Sequence, residues 1–291
     1  MHKVFSLLLL LCAVLVLPAH AQVDRKPAPD ATKKPAKRVL VFNRADGFKH
    51  SSIPTSAEVF KQLDAKSEDF EFVVTDDVKH FDKDKLDTFD AVAFCLTTGE
   101  YSASDPKNPG KPEFTDAHKA ALLDFVKSGR GGLAGMHSAT DTFYKWPEFG
   151  DMLGGYFDGH PWNAVDKVTI KNEQPDHAIS KPWGTQPFEL VEEMYQFKDP
   201  YSRAKQDVLM SIDVDKTDMT KKGIKRTDKD FAVAWTKSYG KGRVFYTSLG
   251  HNEAVWNDPR YQAHLMAGLK WVTGGGDAKA ETKTPKVIGA K

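Results

Sequence analysis

The chain has 291 residues, with Lys+Arg 41 against Asp+Glu 40 and a formal net charge of +1. That balance gives no overall basic field to attract nucleic acid and points to a small ligand of little or no charge. An apolar fraction of 40% is enough for a sizeable core, and with only two cysteines, one of them in a removable leader, no internal disulfide can reinforce it.

The amino terminus opens Met1-His2-Lys3, continues with an apolar run over residues 4–18 and reaches Ala19-His20-Ala21. A basic start, a short apolar core and a small-x-small site describe a secretory signal peptide over residues 1–21, and the run is too short to span a membrane. Cleavage is expected between Ala21 and Gln22, so the mature protein is expected to be periplasmic or secreted, with no membrane attachment. Residues 22–37, rich in Pro, Ala, Lys and Asp, read as a disordered linker. The domain is expected over residues 38–274, and residues 275–291 read as a disordered tail.

Residues 38–42 form a continuous apolar run, as a strand buried on both faces requires. The run ends in a loop carrying Asp46 and His50, and a helix pattern follows over residues 54–63. Residues 70–74 and 91–96 read as further strands. Cys95 lies in the second of these and reads as a buried thiol. Residues 97–113 form a loop long enough for a lid. A helix is expected over 115–128, capped by Thr115, followed by a strand over 132–136. Strand, helix and strand alternating in this way predict an α/β fold with a doubly wound, mainly parallel sheet. Beyond residue 153, alternating segments at 165–170, 188–197 and 208–214, and a hairpin over 231–248, predict an antiparallel β extension. Lys-rich residues 216–230 are expected in solvent, and residues 260–272 form a closing helix.

Gly135-Met136-His137-Ser138-Ala139 has the layout of a nucleophile elbow: small residues flank one functional side chain where a strand ends. The central residue is an imidazole, so the chemistry open to it is proton transfer, metal ligation or hydrogen bonding; otherwise His137 merely caps the strand. His50, His160 and His251 also follow strands in small-residue turns, and strand ends at one sheet edge converge. His251 and Glu253, two apart, would share a side in extended geometry, letting the carboxylate orient an imidazole. Tyr144, Trp146 and Trp162, interleaved with glycine, either stack on sugar faces or pack in the core.

The ordered blocks Gly47-Phe48-Lys49-His50-Ser51-Ser52-Ile53-Pro54, Gly131 through Thr142, Gly154-Gly155-Tyr156-Phe157-Asp158-Gly159-His160-Pro161, Glu193-Met194-Tyr195-Gln196-Phe197 and Gly242 through His251 resemble the ThuA-like (trehalose utilisation) family. The resemblance implies a class I glutamine amidotransferase-like fold. Amidotransferases of that fold use a cysteine at the elbow and a His-x-Glu pair after a late strand. Here His137 replaces the cysteine, which excludes glutamine hydrolysis through a thioester. Asp230-Phe231 stands where relatives often carry His-Pro.

The resemblance further implies carbohydrate catabolism, with a glycoside or keto-sugar as the small-molecule partner. Three readings remain open. In the first, His137, His251 and Glu253 are catalytic acids and bases that isomerise, eliminate or hydrolyse the sugar. Asp46, His50, Asp141, Tyr144, Trp146, His160 and Trp162 then bind the substrate, and no cofactor is needed. In the second, His50, His137 and His160 hold a divalent, zinc-type metal. In the third, the protein is a non-catalytic sugar-binding module.

Overall fold

The computed structural model describes residues 36–274. The expected signal peptide, most of the linker and the tail lie outside them. In chain order the elements are β1 (Lys37–Phe42), α1 (Ile53–Lys66), β2 (Phe70–Thr75), α2 (Lys83–Leu86), β3 (Ala91–Cys95), α3 (Asp116–Lys127), β4 (Gly132–Met136), α4 (Pro147–Leu153), β5 (Tyr156–Phe157), β6 (Lys167–Asn172), β7 (Phe188–Val191), β8 (Phe197–Lys198), β9 (Asp207–Ile212), β10 (Ala232–Tyr239), β11 (Gly242–Thr247), α5 (Glu253–Trp256) and α6 (Pro259–Val272).

Nine strands form one sheet in the order β2-β1-β3-β4-β11-β10-β9-β6-β7. From β2 to β11 every pairing is parallel, and from β11 to β7 every pairing is antiparallel. The parallel half and its antiparallel extension are therefore one continuous surface. Strands β5 and β8 make a separate small ribbon.

The apolar runs explain why the parallel half is covered on both faces. Successive side chains of a strand point to opposite faces. Val39 and Val41 of β1 pack in one core with Val59 and Phe60 of α1 and Leu265 and Leu269 of α6. Leu40 and Phe42 pack in the other with Leu86 of α2, Leu122 and Phe125 of α3, and Phe149 and Leu153 of α4. Helix α3 starts on a reciprocal cap: Thr115 Oγ1 accepts from the His118 amide, and His118 Nδ1 accepts from the Thr115 amide.

Three expectations change. Residues 188–197 are not one strand, because the chain leaves the sheet after Val191, touches Trp162 through a single antiparallel bridge at Met194 and pairs again as a strand at β8. The 97–113 loop is pinned: Tyr101 donates to the Arg44 carbonyl at 2.8 Å and Asn108 to the Asp46 carbonyl at 3.0 Å. The Lys-rich excursion is also fastened, through Trp162 Nε1 donating to the Asp218 carbonyl at 2.9 Å and Gln196 Nε2 to the Gly223 carbonyl at 2.7 Å.

Candidate metal centre

Strands β1, β4 and β11 run parallel, so the loops leaving their carboxyl ends meet at one rim. His50 follows β1, His137 follows β4 and His251 follows β11. At the elbow His137 holds φ of 50°, in the left-handed region that side chains other than glycine rarely adopt. A Cβ on Gly135 would meet Leu153 Cδ1 at 2.7 Å and Tyr246 Cδ2 at 3.0 Å, so a larger residue before the turn would require these buried side chains to shift. Tyr246 secures the strained turn by donating to the His137 carbonyl at 2.6 Å.

Ring orientations follow from the partners of each Nδ1. His137 Nδ1 lies 2.8 Å from the Ser248 carbonyl, which can only accept, so Nδ1 carries the proton and Nε2 offers its lone pair. Asn252 Oδ1 lies 3.1 Å from His251 Nδ1 and fixes that ring in the same way. His50 Nδ1 is 3.5 Å from Ser138 Oγ, and its Nε2 stands 3.2 Å from His137 Nε2. Glu193 completes the ring of donors, with Oε1 3.6 Å from His137 Nε2 and Oε2 3.6 Å from His251 Nε2. One ligand atom from each of His50, His137, Glu193 and His251 falls within 4.8 Å of every other.

This donor set fits a divalent cation. Zinc–nitrogen bonds of ~2.0–2.1 Å in a tetrahedron put neighbouring ligand atoms roughly 3.4 Å apart; the contacts of 3.2 and 3.6 Å lie close to that value, and the whole set, within 4.8 Å, would draw in on binding. Burial, and then the charge of His50, holds His137 well below the usual imidazole range. Burial, followed by the charges of His251 and His160, lowers His50 to about 4. Both rings are thus neutral at pH 7, as ligation demands. Burial, reinforced by Asp141, pushes Glu193 up to about 7.

Two neighbours complete the centre. Tyr195 brings its hydroxyl to 3.0 Å from His137 Nε2. Glu192, fully buried, accepts from three successive amides of the loop carrying His251: Gly250 at 2.7 Å, His251 at 2.5 Å and Asn252 at 3.0 Å. Burial raises its carboxyl to about 8 although the amides favour the charged form. Glu192 and Glu193 therefore face opposite ways, one clamping the loop and the other facing the imidazoles.

The remaining candidates are placed differently from the expectation. His160 stands at the rim, its Nδ1 3.4 Å from Glu193 Oε2, and His251 with Glu193 takes the place expected for it among the ligands. Glu253 does not orient His251: it opens α5 and accepts from Ser51 Oγ at 2.7 Å. Asp46 is buried and holds Arg44 through both carboxylate oxygens, with Lys111 at 3.2 Å, so it anchors the 97–113 loop. Trp146 packs on Phe143 and Phe149, and Trp162 packs on Phe231, so both tryptophans belong to the interior and offer no stacking face. Tyr144 donates to Asp141 at 2.6 Å, but Lys198 Nζ lies 4.7 Å over its ring. Asp141 is held above the usual carboxylate range by burial.

Glu192, Glu193 and Tyr195 are site residues that the sequence reasoning misses. Their signal is the pair of consecutive acids between Leu190-Val191 and Met194-Tyr195, where a surface strand would place only alternate ones.

The sequence profile of the family described as trehalose utilisation matches residues 38–272. Among solved structures, a ThuA-like protein from Bacteroides uniformis ATCC 8492 superposes with a TM-score of 0.65 at 23% identity, covering 85% of this chain and 95% of the other. A second ThuA-like protein, from Parabacteroides merdae ATCC 43184, gives 0.57 at 20% identity over 83% and 91% of the two chains. A β-galactosidase from Bacillus circulans sp. alkalophilus shares the fold at 0.51 and 12% identity, with 82% of this chain matching 31% of that enzyme. No curated protein matches the chain.

Proposed function

The chain belongs to the trehalose-utilisation (ThuA) family, and on that premise we propose that it is a metal-dependent enzyme of carbohydrate catabolism acting on a glycoside or keto-sugar. In this reading Nε2 of His50, His137 and His251 and one Glu193 oxygen hold a divalent cation of the zinc class. The observation that carries it is the convergence of imidazole lone pairs on one point while the Nδ1 atoms of His137 and His251 are occupied elsewhere. A ligand nitrogen fixed by a carbonyl on its far side is the usual arrangement around a protein-bound metal.

The cation would supply Lewis acidity to a sugar carbonyl or a vicinal hydroxyl pair. A polarised carbonyl acidifies its neighbouring C–H, so a weak base can begin isomerisation or elimination. On the exposed side stand the groups suited to moving that proton: the His160 imidazole, half exposed beside Glu193, and the Asp141–Tyr144 pair. The signal-like residues 1–21 support action outside the cytoplasm, in the periplasm or beyond.

A second reading dispenses with metal. His50 Nε2 and the Tyr195 hydroxyl both reach the His137 lone pair, at 3.2 and 3.0 Å, and form a relay able to pass one proton. Elemental analysis of chain purified without chelator separates the two: close to one equivalent is expected, falling below about a tenth in His137→Ala, and a metal-free wild type leaves the relay. Mass spectrometry of glycosides and their keto derivatives incubated with the protein tests the reaction itself. Ligand protection without any product would make the chain a binding module.

A further inference from the structure

One lone pair at the centre is claimed twice. His137 Nδ1 gives its proton to the Ser248 carbonyl, which leaves Nε2 as an acceptor, and two groups approach it: the Tyr195 hydroxyl at 3.0 Å and His50 Nε2 at 3.2 Å. A neutral imidazole has a single lone pair in the ring plane, so only one of them can donate to it. The hydroxyl is the closer and carries a proton whatever the tautomer of His50. In the chain without metal, Tyr195 therefore donates to His137. A cation bound by both imidazoles takes that acceptor away.

Tyr195 has no second acceptor to turn to. Its ring is buried, with its centroid 4.5 Å from that of His137 and 4.4 Å from that of Phe157, so it is held from two sides. Among the described residues the hydroxyl has no hydrogen-bond partner besides His137. A buried donor without an acceptor is costly, so the released hydroxyl must find one within its present reach. A metal–nitrogen bond of ~2.0–2.1 Å to His137 Nε2 keeps the cation beside a hydroxyl 3.0 Å from the same atom. The acceptor that a loaded centre offers there is an oxygen of whatever the cation binds.

We propose that Tyr195 is a catalytic hydrogen-bond donor: released from His137, its hydroxyl bonds the substrate oxygen at the loaded centre. Negative charge gathers on that oxygen when the neighbouring C–H bond breaks, its proton passing to a base on the exposed side, where His160 and Asp141 stand, and its electron pair into the enolate. A fixed donor aimed at developing charge in a site closed to water stabilises it strongly. The inference rests on the metal-dependent reading and deepens it: the substrate carries an oxygen able to become anionic, and the cation and Tyr195 divide its charge. It also parts company with the metal-free relay, in which the same hydroxyl goes on serving His137.

The test compares wild type with Tyr195→Phe, which keeps the ring between Phe157 and His137 and removes the hydroxyl alone. Zinc affinity is read at pH 8 by chelator competition, and acetohydroxamate, which brings an anionic oxygen to zinc, is titrated into each zinc-loaded full chain. Tyr195→Phe is expected to bind zinc as tightly as wild type or more tightly, because the cation no longer displaces a bond to His137. It is expected to bind acetohydroxamate about tenfold more weakly, as loss of one hydrogen bond to a charged oxygen implies. Zinc affinity lower by about tenfold or more in the variant overturns the proposal and makes Tyr195 a ligand or the support of one. Hydroxamate affinity within about twofold of wild type overturns it as well, and so does a zinc-loaded wild type that binds no hydroxamate. Those results leave the metal reading standing, whereas a wild type that binds no zinc ends that reading and the donor role with it. Should the variant not fold, the chain carrying 3-fluorotyrosine at position 195 replaces it. Its fluorine resonance is expected to shift on adding zinc and again on adding hydroxamate, and a resonance unmoved by the second addition overturns the donor role.

Discussion

Glu192 touches no proposed ligand atom, yet the geometry makes the centre depend on it. Its two oxygens receive three consecutive amides at 2.5 to 3.0 Å, and the middle amide belongs to His251. In Glu192→Gln the best rotamer keeps the carbonyl on the Gly250 and His251 amides and turns the NH2 group towards the Asn252 amide, two donors face to face. A buried donor left without a partner costs about 1–3 kcal/mol. That cost falls on the residue whose Oδ1 orients the His251 ring. Loss of a group that orients a ligand typically weakens metal binding by about 10–100-fold. Zinc affinity measured against a competing chelator at pH 9, above the value of about 8 to which burial raises Glu192, is therefore expected to drop by that factor in Glu192→Gln, with Glu192→Ala at the upper end. Thermal unfolding of the metal-free protein supplies the control. Affinity within twofold of wild type, alongside a lower melting temperature, would show that Glu192 merely stabilises the loop and would refute the reasoning.

Zinc affinity should also depend on pH through Glu193, which is raised to about 7 by burial and must lose its proton to ligate; below that pH affinity is expected to fall about tenfold per unit, and a flat titration from pH 5 to 8 would remove Glu193 from the ligand set. His264 is fully buried, bonded through Nδ1 to the Ile179 carbonyl, and lowered to about 4 by burial. A depressed folded value means its contribution is complete above the unfolded value of ~6.5 and is lost as pH falls towards 4. His264→Asn, which keeps a donor but cannot titrate, should thus lose up to about 3 kcal/mol less stability than wild type between pH 7 and pH 4 in urea unfolding; identical acid profiles would contradict this. Cys95, buried in β3 with its thiol pushed up to about 12 by burial, is expected to stay unmodified by a thiol reagent until the chain unfolds, and prompt labelling of the folded protein would show β3 to be accessible.

The parallel half was legible because its physics is local. A strand buried on both faces must be an unbroken apolar run, and β1, β3 and β4 are such runs. His137 was legible for a similar reason, since a strained turn between small residues leaves few choices of sequence. The errors at the centre arose where a local rule was carried past the end of its element. His251 and Glu253 share a side only in extended chain, but the backbone enters α5 at Glu253 and turns the carboxylate towards Ser51. Residues 188–197 keep an apolar character that suggests one strand, and only pairing partners far along the chain reveal that it breaks at Glu192 and Glu193. Trp146 and Trp162 look like loop aromatics in sequence, yet the surrounding loops fold over them. Side chains that close a core from outside cannot be told from those that open a pocket by neighbours in sequence alone.

The four prospective ligands leave four different connections, and His50 and His137 alone are 87 positions apart. A cation held by all of them acts as a cross-link between the first strand loop, the elbow, the segment leaving the antiparallel edge and the last strand loop. Closing long loops costs little more than closing short ones, so most of the gain comes from joining segments that otherwise assemble late. Metal loading should therefore slow unfolding more than it speeds folding. Protease cleavage of the segment between β7 and β8 would report the occupancy of a centre formed by chain from both halves of the sheet.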